Sequence, residues 1–154
     1  MLVQVLVLYY STTGNTEALA KAVADGARTV AQVVVKRVDY ATVQDLISSD
    51  AVAFGSPNYF GYMAGHMKEY FEKAWSVRSL VAGKLAAAFT SGGGSSNSAL
   101  LSLENLFNTF KLEKATDGVV SSRKPSEQDL ERCRALGRAL AEAAVEKAKI
   151  TPKE

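Results

Sequence analysis

Residues 11–16 read Ser-Thr-Thr-Gly-Asn-Thr, four hydroxyls, one amide and one glycine with no charge among them. Ser11, Thr12, Thr13, Asn15 and Thr16 can each donate a side-chain hydrogen bond, and Gly14 permits a tight turn. A nearly continuous apolar run at 3–10 precedes them and a helical spacing of apolar residues follows. A loop between a strand and a helix presents backbone N–H groups and the positive end of the helix dipole, which together attract an anion. A terminal phosphate offers three acceptor oxygens, and this loop is rich enough in donors to surround them. Helix capping also favours Ser, Thr and Asn, but one cap needs one such residue. Since no Lys or Arg stands in the loop, a phosphate held here is expected to keep part of its charge uncompensated.

Two further stretches carry the same kind of signal. Residues 57–62, Pro57, Asn58, Tyr59, Phe60, Gly61 and Tyr62, place three aromatics within four positions of a turn. One ring is expected to plug the core beneath the loop while another faces a planar ligand. Residues 91–94, Ser91, Gly92, Gly93 and Gly94, let the backbone approach a flat surface and point N–H groups at its polar edge. Together the three loops describe a ligand with a phosphate at one end and an aromatic plane at the other. Flavin mononucleotide, FMN, fits that description. A dinucleotide fits less well, because G-x-G-x-x-G is absent.

These loops need a scaffold that brings them together, and the hydrophobic periodicity supplies one. Strands are expected at 3–10, 32–38, 50–55 and 84–90, with a weaker fifth near 114–120. Helices are expected from Thr16 to about Arg28, at roughly 42–48, at 63–75, around Leu100 to Phe110, and after Pro125. There Ser126 and Asp129 suggest a capping box. Cys133 falls on the apolar stripe of that last helix and reads as a small buried hydrophobe. Alternating strands and helices imply right-handed crossovers and an α/β doubly wound three-layer sandwich with a five-stranded parallel sheet. In such sheets ligands sit beyond the carboxyl ends of the strands, where the order reverses, and all three loops follow strands.

The bulk numbers agree with a single domain over 1–154. The chain has 154 residues, 47% apolar and 22% charged, with a formal charge of +2 from 18 basic and 16 acidic residues. That balance excludes an electrostatic case for nucleic acid. The apolar runs are too short to span a bilayer, and the first residues lack the basic start of a signal peptide. A cytoplasmic setting is expected. With one cysteine, an internal disulfide or a cysteine metal cluster is excluded, and no metal site is expected.

The stretches V-L-Y-Y-S-T-T-G-N-T, G-S-P-N-Y-F-G-Y-M-A-G-H-M-K, G-K-L-A-A-A-F-T-S-G-G-G and S-R-K-P-S-E-Q-D-L resemble, in that order, the flavodoxin-like superfamily, which implies a flavodoxin-like sheet of order 2-1-3-4-5. More narrowly they resemble the WrbA-type FMN-dependent NAD(P)H:quinone oxidoreductases. The resemblance implies that residues 11–16 hold the FMN phosphate, that 57–62 lie beside the isoalloxazine, and that 91–94 run along its pyrimidine edge. Two departures stand out. WrbA-type enzymes carry a His-Gly element bordering the substrate pocket, yet no histidine follows Phe110 here. The segment before Ser122-Arg123-Lys124-Pro125 is also short. The one histidine, His66, reads as a solvent-facing helix residue.

Two neighbours on this architecture are set aside. Response-regulator receivers need an acidic cluster, where this chain has Tyr9-Tyr10-Ser11 and Ser56. Small tyrosine phosphatases need a Cys and an Arg around the phosphate loop. An electron carrier working through non-covalent FMN with a redox protein partner is the first surviving reading. The second is an enzyme taking hydride from NAD(P)H and passing it to a quinone, and the departures above favour the first. No side chain is assigned a catalytic role in either, and monomer and homo-oligomer remain open. The Gly-Ser loop at 91–96 suggests that one face of the flavin is open. The lack of acids in the loops predicts a reduction potential less negative than that of acidic flavodoxins.

Overall fold

The computed structural model describes residues 2–93 and 96–150. Strand β1 (Gln4–Tyr9) pairs in parallel with β2 (Gln32–Arg37) on one side and β3 (Ala51–Pro57) on the other. Strand β4 (Leu85–Ser91) pairs in parallel with β3 and, further out, with both β5 (Glu113–Lys114) and β6 (Val119–Ser121). The order is β2-β1-β3-β4-β5, with β6 also on β4. The expected fifth strand is thus two short ones in line, separated at the polar turn Ala115-Thr116-Asp117-Gly118. Leu85 and Ala86 pair with Glu113 and Lys114, and Phe89 to Ser91 pair with Val119 to Ser121. Asp and Gly favour turns over strand continuation, so an edge strand breaks there at little cost.

Helices α1 (Asn15–Arg28) and α6 (Glu127–Ile150) cover one face of the sheet. Helices α2 (Val43–Ile47), α3 (Gly65–Ala74), α4 (Arg78–Val81) and α5 (Ser96–Phe110) belong to the other side. Short 3-10 turns at Val38–Tyr40 and Trp75–Val77 connect them. The alternation of β1 explains the two cores. Val5, Val7 and Tyr9 point into the first, with Leu19, Val23, Leu136 and Leu140. Leu6 and Leu8 point into the second, with Phe54, Met67, Phe71 and Phe107. Each such side chain contributes about 1.5–3 kcal/mol when fully buried.

Helices α1 and α6 approach backbone to backbone. A Cβ at Gly26 would lie 1.9 Å from the Arg134 carbonyl oxygen, and one at Gly137 would lie 1.9 Å from that of Val23. Any side chain at either position forces the helices apart and, with them, the start of α1. At the head of α6 the Ser126 and Asp129 side chains each accept from the other's backbone N–H, at 3.0 and 3.1 Å. Arg132 beside Asp129 is the largest influence holding that carboxyl down at about 2. Cys133 is fully buried on this helix, and burial pushes its thiol up to about 12.

Candidate functional site

The switch in strand order falls between β1 and β3: β1 leads across to β2, and β3 leads the opposite way to β4. The loops leaving β1, β3 and β4 meet at this edge and are hydrogen-bonded to one another. Thr12 Oγ1 and the Tyr59 hydroxyl lie 2.9 Å apart, joining the first loop to the second. Thr16 Oγ1 and Ser91 Oγ lie 2.6 Å apart, joining the first helix turn to the end of β4. Asn58 joins the second loop to the third: its N–H donates to the Ser91 carbonyl at 2.7 Å and its Nδ2 donates to the Gly93 carbonyl at 3.0 Å. Gly92 adopts φ +107°, and a Cβ there would lie 3.2 Å from the Asn58 nitrogen. Gly94, the last residue expected in the third loop, lies outside the described residues.

Within the first loop, Ser11 and Thr16 are buried, Asn15 is half-buried, and Thr12, Thr13 and Gly14 are exposed. Gly14 is the N-cap of α1, with φ 93° in the left-handed region, and no side-chain hydrogen bond caps the helix there. Instead the Ser11 hydroxyl accepts from the Gly14 N–H at 3.1 Å, curling the loop on itself. A capping reading of the loop therefore does not account for its hydroxyls. The first turn of α1 keeps N–H groups available at an exposed edge, which is where an anion binds. Open space lies around Gly14, where a Cβ would meet nothing within 4 Å.

The second loop differs from expectation. Tyr59, Phe60, Gly61 and Tyr62 form a two-residue hairpin, in which the Tyr59 N–H donates to the Tyr62 carbonyl at 2.9 Å and the Tyr62 N–H donates to that of Tyr59 at 3.1 Å. Phe60 has φ 57° and Gly61 φ 80°, as a type I′ turn requires. The Gly61 N–H donates to Asn58 Oδ1 at 2.8 Å and braces the turn. None of the three rings plugs the core: Tyr59 is half-buried, Tyr62 is 42% exposed and Phe60 is fully exposed. Met63 and Ala64 fill the core instead, because the tight turn throws the aromatic positions outward. The Ala64 N–H donates to the Ser56 hydroxyl at 2.8 Å and the Met63 N–H donates to that of Ser102 at 3.1 Å. Pro57 itself is the buried last residue of β3, opposite Ser91 in the register.

One residue that the motif could not reveal lies beside the first loop. Arg37, the last residue of β2, stands opposite Tyr9 in the register. Its Nη1 donates to the Ser11 carbonyl at 2.8 Å and its Nη2 donates to Asp39 at 3.2 Å. The hydrogen bond to Asp39 is the largest influence raising its already high pKa. The guanidinium carbon also lies 5.3 Å from the centre of the Tyr10 ring. Tyr10 stacks in turn on His66, with ring centres 4.4 Å apart and planes 8° from parallel. His66 is exposed on α3 as expected, but its stacking was invisible to local sequence patterns. Among the described residues no group of three or more His, Cys, Asp or Glu is placed to hold a metal ion. No helix among them is long and apolar enough to cross a membrane.

A doubly wound parallel sheet with a hydroxyl-rich loop after its first strand defines the class, flavodoxin-like α/β proteins. The flavodoxin family profile matches residues 7–137, and the chain belongs to that family. It is 37% identical to a flavodoxin of Aquifex aeolicus, over 90% of this chain and 85% of that protein. It is 32% identical to an NAD(P)H dehydrogenase (quinone) of Rhodopseudomonas palustris, over 92% of this chain and 97% of that protein. That alignment runs over 193 positions against 154 residues here, so the relative carries inserted residues. Among solved structures, a flavodoxin from the domain Archaea superposes with a TM-score of 0.84 at 27% identity, covering 93% of this chain and 99% of its own. The family's cofactor is FMN. The neutral donors of the first loop, the uncapped helix start and the open space at Gly14 fit its phosphate.

Proposed function

We propose that this chain carries electrons through a non-covalently held FMN, with residues 11–16 on its phosphate and 57–62 and 91–94 around its ring. The observation that supports it best is the stitching of the three loops at the switch point, by Thr12 to Tyr59, Thr16 to Ser91 and Asn58 to Gly93, beside an uncapped helix start. Thr12, Thr13 and Asn15 would bind and orient the phosphate, while Ser11 shapes the loop around it. Asn58 would fix the separation of the two loops that flank the ring. The bound group would supply the redox chemistry, and the protein's part is to hold, orient and shield it. In this reading the domain spans 1–154, and a redox protein is its partner. A cytoplasmic setting suits its single, buried, unpaired cysteine.

A second reading has two observations in its favour. Phe60 and Tyr62 are exposed rather than closed over the site, and relatives named NAD(P)H dehydrogenase (quinone) match nearly the whole chain. An open approach to the ring is what hydride transfer from NAD(P)H, and then to a quinone, needs. Purified protein mixed with NADH or NADPH and then benzoquinone in a stopped-flow instrument separates the two. A carrier stays yellow with nicotinamide, whereas rapid bleaching followed by quinone turnover establishes the enzyme. Protein that binds no flavin refutes both.

A further inference from the structure

The first loop contains no cation, yet the fold delivers one to it from a neighbouring strand. Arg37 ends β2, and β2 lies beside β1 in register, so its side chain emerges where the loop begins. Its Nη1 bond to the Ser11 carbonyl, 2.8 Å, places a guanidinium against the first peptide of the loop. Only two of its five N–H donors are engaged by Ser11 and Asp39. The Tyr10 ring beneath the guanidinium limits its swing. The acids nearby are Asp39, paired with Arg37, and Glu17 in the first turn of α1, which accepts from the Tyr9 hydroxyl at 3.1 Å. Two carboxylates thus stand against one guanidinium, and without Arg37 the rim of the loop would oppose a phosphate more strongly still.

We infer that Arg37 is a specificity residue for the charged end of the cofactor: it selects the phosphorylated flavin over riboflavin by clamping the Ser11 carbonyl and offsetting the phosphate charge. This rests on the reading of residues 11–16 as the phosphate loop. The charge acts across the loop wall rather than by forced contact, so its effect is modest and sensitive to salt. Arginine suits the position better than lysine, because its planar fork can serve the carbonyl, the carboxylate and the ring at once.

The test is titration of the flavin-free protein with FMN and, separately, with riboflavin, by flavin fluorescence, at low and high KCl. Wild-type protein is expected to prefer FMN, with a preference that shrinks as salt rises. Arg37→Gln is expected to weaken FMN about fivefold at low salt while leaving riboflavin unchanged, and to flatten the salt dependence. Arg37→Lys should keep the salt dependence, and Asp39→Asn should move the FMN preference upward. Equal loss of FMN and riboflavin in Arg37→Gln, or an unaltered salt slope, overturns the inference and leaves Arg37 a structural clamp. A lysine variant as flat as the glutamine variant overturns it too. Wild-type protein that does not distinguish FMN from riboflavin defeats the phosphate-loop reading itself, a different and separable result.

Discussion

The two ends of the site are built on opposite principles. The loop at 11–16 is pinned from below: Thr16 and Ser91, 1% and 2% exposed, share a 2.6 Å hydrogen bond, and Arg37 holds the Ser11 carbonyl. The turn at 59–62 is held mainly by its own backbone and by Asn58, and it projects its side chains outward. Phe60 occupies the left-handed region, where a bulky residue is an outlier, at a cost on the order of 1–3 kcal/mol. In the proposed reading the first loop is the anchor, its donors fixed to the sheet. In the same reading the turn is the surface proposed to meet the ring and a partner, and its aromatics are exposed.

The largest expected effect breaks the anchored end. Thr12→Asp puts a carboxylate where the phosphate is proposed to sit, and FMN affinity should fall by at least about tenfold, read by fluorescence titration. Next, Thr16→Val leaves the buried Ser91 hydroxyl without its partner. Unfolding in urea should show a loss of about 1–3 kcal/mol, and a variant as stable as wild type would deny that the pin matters. The opposite sign is expected at the other end. Phe60→Asn replaces an outlier with a residue that tolerates the left-handed region, and should stabilise the chain by up to about 1 kcal/mol in the same assay. Unchanged or lower stability would show that the Phe60 ring already offsets its strain.

The smallest effect lies away from both ends and serves as a control. Asp129 is held at about 2, against 3.8 for an ordinary aspartate, first by Arg132 and then by Ser126. Because the folded value is the lower one, its contribution is present above about pH 4 and is lost as pH falls toward 2. The carboxylate lies near the surface, so the loss should be well under that at Thr16. Asp129→Asn should flatten the acid limb of the stability curve without moving FMN affinity.

Much of the fold was legible because β1, β3 and β4 are apolar on both faces and the helices carry clear stripes. The parallel doubly wound sheet followed from the alternation and its order from the resemblance, and the capping box at Ser126 was readable even with Asp129 in place of glutamate. The weak fifth strand was not resolved into two, since edge strands carry little apolar signal. At the site, the loops could be found because each follows a strand. What escaped was whatever depends on contacts between distant segments. One of the three rings at 59–62 was expected to plug the core, and only the type I′ geometry at Phe60 and Gly61, which turns them outward, overturned that. Arg37 stands 26 residues from Ser11, so the uncharged motif concealed a charge supplied by the adjacent strand. The stacking of Tyr10 on His66 was hidden for the same reason.

The central claim is that residues 11–16 anchor the FMN phosphate, and the most direct measurement pairs two titrations on flavin-free protein. Wild type and Thr12→Asp, shown by circular dichroism to share the same fold, are each titrated with FMN at low salt. The account predicts tight binding by wild type and binding at least about tenfold weaker by the variant. Equal affinities would contradict it.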